Sequence, residues 1–329
     1  MPDTLYIVLP CYCEEEVLPE TAARLKEKLT RMIGGGLVSR GSKILFVDDG
    51  SSDRTWEIIE GLHSGDDIFS GVKLSRNGGH QNALLAGLMT ALPNCDLTIS
   101  IDADLQDDIE CFDQFMQKYR EGCEVVYGVR SDRKTDTVFK RQSAQAFYKV
   151  MAKLGVNIVY NHADYRLMSK RALAGLAAFR EVNLFLRGIV PLIGYQSGVV
   201  EYARSERLAG KTKYPFKKML AFAWNGVSSF SVRPIRFIAA LGLLVFLVSL
   251  GLMVYALVRH LTGDTVPGWT MLMISIWMLG GMQLLALGVI GEYVGKIYSE
   301  VKARPKYLIE TVLGAAHNPK GDGSSGHGL

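Results

Sequence analysis

Short apolar runs that alternate with helical patterns constrain the fold of this 329-residue chain more than any other feature. The runs are Leu5–Leu9, Lys43–Val47, Val72–Leu74, Leu97–Ile101 and Glu124–Tyr127. The helical patterns between them are Val17–Met32, Arg54–Leu62, Gln81–Ala91 and Ile109–Tyr119. Strands that alternate with helices of this length form βαβ units, so the sequence predicts an α/β domain with a mostly parallel sheet.

Two stretches nearer the C-terminus, Phe237–Val258 and Trp269–Gly291, carry no charged residue. At 1.5 Å per residue, each is long enough to cross a bilayer core of roughly 30 Å. Basic residues flank the outer ends of the pair, and the positive-inside rule then places both ends in the cytoplasm. The sequence therefore predicts a multi-pass protein of the inner (plasma) membrane with a cytoplasmic N-terminal domain.

The predicted organisation has seven parts. They are the α/β domain 1–214, an amphipathic helix 215–232, a first span 233–260, a short external loop 261–268, a second span 269–291, a cytoplasmic juxtamembrane segment 292–310 and a disordered tail 311–329. The basic amphipathic helix is expected to lie in the membrane interface, with an ordinary core-packed helix as the alternative. Gly, Ser and polar residues predict the disorder of the tail.

The composition limits the classes of partner that the chain is expected to bind. The apolar content of 48% and the charged content of 21% are typical of a globular protein. A net charge of +4 does not indicate a nucleic-acid partner. The five cysteines show no paired metal-binding spacing, which predicts free thiols.

The fourth apolar run ends directly in Asp102-Ala103-Asp104-Leu105-Gln106. Both carboxylates then stand where a strand meets a loop, the edge at which open α/β sheets bind ligands. Mg²⁺ and Mn²⁺ usually take one or two carboxylates together with substrate phosphates. The segment predicts a clamp for a metal ion and a diphosphate, with a solvated turn as the alternative.

The loops after the first two strands carry residues suited to a nucleoside. Pro10 and Tyr12 could form one wall for a nucleobase, and Glu14 could accept a hydrogen bond from base or ribose. The alternative for the acid is a helix N-terminus, where the dipole favours negative charge. Asp49, the second of two adjacent acids after the second strand, also suits a hydrogen bond to base or ribose.

The third strand leads into Arg76, Asn77 and Gly78, just before a helix. Glycine lets the backbone approach an anionic ligand, and the arginine adds charge, although a simple turn is the alternative. All four loops belong to one edge of one sheet. One nucleotide-diphosphate site explains them together better than four separate structural reasons.

These motifs resemble family 2 of the glycosyltransferases, which have the GT-A fold. The resemblance is carried by Pro10–Glu15, Val47–Asp53, Arg76–His80, Asp102–Asp107 and Asp164–Ser169, and by Glu201-Tyr202, Arg207–Tyr214, Gly291–Tyr298 and Arg304–Tyr307. Within the family the chain is most similar to membrane-anchored polyprenyl-phosphate glycosyltransferases, such as bactoprenol glucosyltransferases and relatives of dolichol-phosphate mannose synthase. Cys13 departs from the pattern, because the family usually has Asn there.

The resemblance implies a hexosyltransferase that moves a sugar from a nucleotide sugar to a lipid-linked phosphate with inversion. It implies Mg²⁺ or Mn²⁺ on Asp104 and Gln106, with Asp102 on the metal or the ribose, and it makes Asp104 catalytic. It offers Asp164 as the base. A phosphate monoester is mostly dianionic at neutral pH, so we expect Asp164 to orient the acceptor or Arg166 as much as it abstracts a proton. The alternative is a helix cap near Ser169.

Five basic residues are candidates for the acceptor phosphate by their positions in the family: Arg130, Lys140, Arg141, Arg207 and Lys213. Arginine reads phosphate with two parallel hydrogen bonds, whereas a solvated basic face that attracts anionic lipids is the alternative. The expected acceptor is polyprenyl (undecaprenyl) phosphate in the membrane, which would give a lipid-linked sugar for cell-envelope glycans. A homo-oligomer is left open.

UDP-glucose is the expected donor, and UDP-N-acetylglucosamine, UDP-galactose and GDP-mannose stay open. Two other functions compete with this one. A processive polysaccharide synthase usually carries more spans and a Gln-x-x-Arg-Trp motif, neither of which occurs in the sequence. A transporter component would not need the donor-site motifs.

Overall fold

A computed structural model describes residues 2–130, 162–181, 185–203 and 269–314, together with single positions between 238 and 255. The chain divides into two compact units. The described part of the first unit is 2–130, 162–181, 185–203 and 305–314, and the second unit includes 269–304. The predicted amphipathic helix 215–232 and the external loop 261–268 lie outside the described residues.

The first unit is built on one eight-stranded sheet with the strand order β7-β5-β6-β4-β1-β2-β3-β8. The strands are β1 Leu5–Cys11, β2 Lys43–Asp48, β3 Phe69–Leu74, β4 Leu97–Ser100, β5 Val125–Arg130, β6 His162–Ser169, β7 Ser197–Tyr202 and β8 Ile309–Leu313. Only β6 and β8 run against the direction of the others. This confirms the predicted GT-A-like α/β fold with a mostly parallel sheet.

Helices connect the strands and cover the sheet. They are α1 Leu18–Gly34, α2 Thr55–Gly65, α3 His80–Ala91, α4 Phe112–Arg120, α5 Lys170–Ala177 and α6 Leu186–Leu192, and a 3₁₀ turn at Ile109–Cys111 precedes α4. A proline in the first turn of α1 suits its start, because the N–H it lacks would have no partner there. In α3, a Cβ on Gly87 would stand 2.5 Å from Val8 and 2.6 Å from Val47, so this helix lies directly on β1 and β2.

The core lies around β1, the central strand. Every residue of β1 is buried, as expected for a parallel strand that is covered on both faces. Leu5, Ile7 and Leu9 are fully buried, and replacing such a side chain by alanine costs about 2–5 kcal/mol. This rigid centre directs the carboxyl ends of β1, β2, β3 and β4 to one edge of the sheet, where the loops with the candidate site residues begin.

Strand β8 is a correction to the predicted organisation. Disorder was expected from residue 311, yet residues 311–313 belong to a strand that pairs antiparallel with β3. The physical reason is that β8 satisfies the backbone groups of an edge strand, which would otherwise stay unpaired. An ion pair of 3.0 Å between Lys73 and Glu310 joins the same two strands.

The second unit contains α7, Trp269–Lys302, which continues well past the predicted end of the second span at residue 291. The part Met278–Lys302 is, by length and composition, the one helix among the described residues that could cross a membrane. Its large apolar side chains Leu284, Leu287 and Val301 are exposed. Of the predicted first span 233–260, only single positions are described, so it stays a prediction.

Candidate active site

The acid loop, residues 102–107, follows β4. Its middle residue, Leu105, is buried and has a φ of +52°, in the left-handed region that costs a non-glycine residue about 1–2 kcal/mol. The backbone N–H of Gln106 donates to Asp104 Oδ1 at 3.2 Å, which tightens the turn. Thr21 of α1 donates to a backbone carbonyl of the loop at 2.9 Å. The loop is therefore held in a strained conformation, as is common at functional sites.

Asp102 is the first carboxylate of the acid loop. Burial raises the pKa of Asp102 to about 6; His80 lowers it, whereas the carboxylates of Asp107, Asp164 and Asp104 raise it further. An excess of acidic groups at a sheet edge fits a divalent cation, because the cation would offset their repulsion. Within the part of the chain that the structure describes, no cluster of three or more His, Cys, Asp or Glu side chains is arranged to hold a metal by itself.

Asp49 holds the loop that follows β3. Its two carboxylate oxygens accept hydrogen bonds from the backbone N–H groups of Gly78 at 2.7 Å and Gly79 at 2.9 Å. The side chain is buried, and burial raises its pKa despite these two bonds. In the structure, Asp49 therefore stabilises the loop that follows β3. Its expected hydrogen bond to base or ribose stays a prediction.

Gly50 lets the loops after β2 and β3 touch. Its φ is +66°, and a Cβ there would stand 2.7 Å from the carbonyl carbon of Arg76 and from the backbone nitrogen of Asn77. Arg76 and Asn77 are themselves exposed. The loop also meets the segment before β8, because the N–H of Ser75 donates to the carbonyl of Leu308 at 3.0 Å. Two of the predicted donor loops therefore form one packed structure.

The loop after β1 starts two residues later than expected, because the strand ends at Cys11 and not at Leu9. Pro10 lies inside β1 and is buried, while Tyr12 is 50% exposed and Glu14 is half-buried. Cys13 has a φ of +54°, and its N–H donates to Ser51 Oγ at 3.0 Å. Asn adopts this conformation more readily than Cys. Tyr12 is thus the exposed aromatic ring of this loop, and the parts of Pro10, Tyr12 and Glu14 in binding a base or ribose stay predictions.

A buried carboxylate, Asp164 on β6, collects donors from three elements. Arg166 Nη2 lies 2.6 Å from Oδ1, Arg187 Nη2 lies 3.1 Å from Oδ2, and His80 Nε2 lies 3.4 Å from Oδ2. A longer contact of 3.4 Å joins Arg187 Nε to Oδ1. We call Asp164, Arg166, Arg187 and His80 the Asp164 cluster.

The cluster fixes the charge of Asp164. Burial alone would raise the pKa of Asp164, but Arg187, the hydrogen bond to His80 and Arg166 together hold that pKa well below its usual range. Burial likewise opposes the charged form of His80, yet Asp164 and Asp102 raise its pKa overall. His80 Nε2 also lies 3.6 Å from Asp102 Oδ1. One imidazole therefore joins the acid loop to the Asp164 cluster.

Comparison with known proteins decides the family. Residues 6–176 match the family model described as Glycosyl transferase family 2. The chain belongs to glycosyl transferase family 2. The uncharacterized glycosyltransferase YkoT of Bacillus subtilis (strain 168) is 56% identical over 309 residues, which are 94% of this chain and 92% of that protein.

A second relative of this glycosyltransferase has a more informative name. The SfII prophage-derived bactoprenol glucosyl transferase of Shigella flexneri is 39% identical over 306 residues, which cover 92% of this chain and 96% of that protein. Among solved structures, mannosyl-3-phosphoglycerate synthase from Rubrobacter xylanophilus aligns with a TM-score of 0.47 at 14% identity, over 71% of this chain and 74% of that one. Such a distant likeness carries no functional information. The relatives confirm the predicted enzyme class, a hexosyltransferase.

Arg130 is the one predicted acceptor cation of this glycosyltransferase within the described residues. Its Nη2 lies 3.6 Å from Asp107 Oδ1, and its Nε donates to the hydroxyl of Tyr202 at 3.2 Å. Tyr202 in turn donates to Asp107, so Arg130 is tied to the end of the acid loop. The other candidates lie outside the described residues: Lys140, Arg141, Arg207 and Lys213.

Sequence reasoning missed Arg187 as a site residue. It stands alone in an otherwise apolar segment, Phe185–Leu192, and comes from no recognised motif. A single charge in so apolar a helix was the available signal. The alternative for Asp164, a helix cap, does not hold, because Ser169 itself accepts the N–H of Ala172 at the start of α5.

Proposed function

We propose that this glycosyltransferase moves glucose from UDP-glucose to a polyprenyl phosphate, with inversion, at the cytoplasmic face of the plasma membrane. One observation supports the proposal most: His80 joins the acid loop to the Asp164 cluster, and these two sites differ in their charge. The acid loop brings the carboxylates of Asp102, Asp104 and Asp107 together and suits a metal-bound diphosphate, with Arg130 paired to Asp107 at its end. The Asp164 cluster supplies two arginines and suits a phosphate without a metal. The name of the Shigella flexneri relative supports both the sugar and the lipid.

The donor half of the reaction needs a leaving group whose growing negative charge is neutralised. Asp102, Asp104 and Gln106 would hold Mg²⁺ or Mn²⁺, which supplies that neutralisation when it is bound. The oxygen donors of two carboxylates and one amide fit either ion, with the diphosphate completing the coordination. Arg76 and the backbone at Gly78 would face the same diphosphate, because Asp49 and Gly50 pack their loop against this edge.

The acceptor half of the reaction needs an oriented nucleophile more than a strong base. With a second pKa near 6, a phosphate monoester already carries two charges at pH 7. Asp164 accepts from three side chains and has a lowered pKa, so it binds a proton weakly. We assign Asp164 the positioning of Arg166, Arg187 and His80, with proton abstraction as the lesser part.

The membrane part of the proposal brings the site to its lipid. An isoprenoid phosphate keeps its headgroup at the interface, so a catalytic domain anchored beside it meets the acceptor without extracting it. The helix Met278–Lys302 supports such an anchor by its length and composition. We propose two spans, 233–260 and 269–291, with the exposed apolar faces of α7 in lipid.

The direct test is sugar transfer by the purified, detergent-solubilised protein. Radiolabelled UDP-glucose, undecaprenyl phosphate and Mn²⁺ should yield label that partitions into organic solvent. UDP-N-acetylglucosamine, UDP-galactose and GDP-mannose run in parallel decide the donor. Absence of labelled lipid with every donor, from protein that still binds UDP, would refute the proposed reaction.

A further inference from the structure

We propose that Arg187 contacts the phosphate of the lipid acceptor and, together with Asp164, sets its position for attack. The proposal rests on the proposed function and deepens it. No sequence motif marks Arg187, so the inference comes from the position that the fold gives to α6.

Arg187 is anchored independently of Asp164. It is the second residue of α6, and the N–H of Leu186 before it donates to Gln81 Oε1 at 3.0 Å. Gln81 follows His80 in α3, so α6 is attached beside the residue that bridges to the acid loop. The start of α6 thus has a defined position beside His80, which itself lies 3.6 Å from Asp102.

Two guanidinium groups share one carboxylate in the Asp164 cluster. Arg166 and Arg187 both contact Asp164, and His80 lies within 3.6 Å of both Asp164 and Asp102. Arg166 is 2% exposed, and its Nε and Nη1 have no hydrogen-bond partner among the described residues. Buried cationic groups in excess are costly unless an anion completes their pairing. An additional anion is the simplest way to complete this cluster.

Only part of the cluster is open to a ligand. Arg166 is buried, whereas the side chain of Arg187 is 35% exposed and that of His80 is 45% exposed. A guanidinium carries five N–H donors in a planar fork that matches phosphate oxygens. Arg187 can therefore keep its carboxylate contact and still donate to a phosphate.

The acceptor phosphate is favoured over the donor diphosphate as the anion. A divalent ion held by the acid loop would neutralise the diphosphate, because the carboxylates there outnumber Arg130, the guanidinium paired with Asp107. The acceptor phosphate brings no metal and must obtain its positive charge from side chains. Since His80 lies 3.6 Å from Asp102 and 3.4 Å from Asp164, a phosphate at Arg187 would stand next to the donor site.

The test is the effect of Arg187→Gln on the two Michaelis constants, with Arg187→Lys as a second variant. We expect Arg187→Gln to raise the KM for undecaprenyl phosphate about tenfold or more, since a charge-assisted pair is lost. The KM for UDP-glucose should change less than about twofold. The KM of Arg187→Lys for undecaprenyl phosphate should lie between those of Arg187→Gln and the wild type, because lysine keeps the charge but loses the planar fork of donors. Arg180→Gln, at an exposed arginine, is the matched control.

Three outcomes overturn the inference. An unchanged acceptor KM in active Arg187→Gln enzyme overturns it alone and leaves the proposed function standing. Equal rises in both constants, with a lower melting temperature, indicate a merely structural part, and loss of Mn²⁺-dependent UDP binding indicates a donor contact. If Arg187→Gln does not fold, the acceptor KM of Arg187→Lys decides. A wild-type protein that binds UDP but transfers no sugar refutes the proposed function itself.

Discussion

The acid loop and the Asp164 cluster meet at His80, and each is centred on an aspartate, yet their electrostatics are opposite. The pKa of Asp102 is raised to about 6, chiefly by burial, and other carboxylates add to the effect. Burial also opposes the charge of Asp164, but two arginines and His80 hold its pKa well below the usual range. The neighbouring side chains, and not the residue type, decide whether the pKa of each aspartate is raised or lowered. The acid loop, with more carboxylates than cations, suits a metal ion from solution, whereas two arginines already pair with the carboxylate of the Asp164 cluster.

The two regions also differ in how they are built. The acid loop is a contiguous stretch whose turn depends on the left-handed residue Leu105. The Asp164 cluster draws on α3, β6 and α6, and β6 is paired on both sides, with β4 and β5. A local motif can encode the first arrangement, whereas only the complete fold produces the second. Substitutions in the two regions should therefore have different kinds of effect.

The largest expected effect on turnover is that of Asp104→Asn. Loss of a metal-binding carboxylate should lower kcat roughly 10²–10³-fold, because the developing charge on the diphosphate loses its counter-ion. Asp104 is half-buried at the sheet edge, so the melting temperature should change little. The transfer assay and a melting curve measure both quantities. The control is Asp67→Asn, at a carboxylate that is 86% exposed. An Asp104→Asn enzyme with full turnover would contradict the assignment of Asp104 as a metal-binding carboxylate.

Asp164→Asn should reduce both stability and turnover. Removing one partner of a buried charged cluster costs about 3 kcal/mol. Because the folded-state pKa of Asp164 is lowered, its contribution is present above pH 4 and is lost as the pH falls through that lowered pKa. Urea unfolding at pH 7 and at pH 3 should show a stability difference that narrows at the lower pH.

The pH dependence of Asp164→Asn turnover separates positioning from base catalysis. If Asp164 mainly positions its neighbours, the ratio of variant to wild-type kcat should stay constant from pH 6 to 8. A base would become dispensable as the pH rises past the second pKa of the phosphate, near 6. Recovery of the variant over that range would contradict the positioning role.

Gly50→Ala should have an intermediate effect that is confined to the donor side. A Cβ at a φ of +66° and 2.7 Å from the backbone of Arg76 should cost about 1–3 kcal/mol and displace the donor loop. The KM for UDP-glucose should rise severalfold, while that for the lipid should stay constant. Gly65→Ala, where a Cβ meets open space at the end of α2, should be nearly neutral. A change of the lipid KM alone would contradict the division between the two regions.

A change of pH, the mildest perturbation because it needs no substitution, tests the affinity of the acid loop for Mn²⁺. A metal ion must displace the proton of Asp102, whose pKa is raised to about 6. The apparent affinity should therefore fall up to about tenfold per pH unit below pH 6. For the metal-free protein the sign is the reverse, since protonated Asp102 favours the folded state at low pH and loses this advantage as the pH rises through 6. Titrations of Mn²⁺ at pH 5 and 7 measure the effect, and equal affinities would contradict it.

Local patterns predicted the first five strands and the loops at their ends, because apolar periodicity and turn residues are short-range signals. Strand β6 was not predicted. Its residues Asp164 and Arg166 suggest a loop, yet both are buried, and they pair with each other in a strand that has neighbours on both sides. Arg187 was missed for a related reason, since it lies 23 positions after Asp164 in the sequence and on a different element. Charges that are paired across distant segments leave no local pattern.

Mn²⁺-dependent stabilisation by UDP tests the separation of the two regions most directly. A ligand that binds only the folded state stabilises it by about 2.7 kcal/mol at a hundred times its Kd. The shift in melting temperature on addition of UDP and Mn²⁺ is compared for wild type, Asp104→Asn and Asp164→Asn. We predict that Asp104→Asn loses the shift and that Asp164→Asn keeps it from its lower starting temperature. A shift that survives in Asp104→Asn, or disappears in Asp164→Asn, would contradict the assignment of donor and acceptor to separate charge centres.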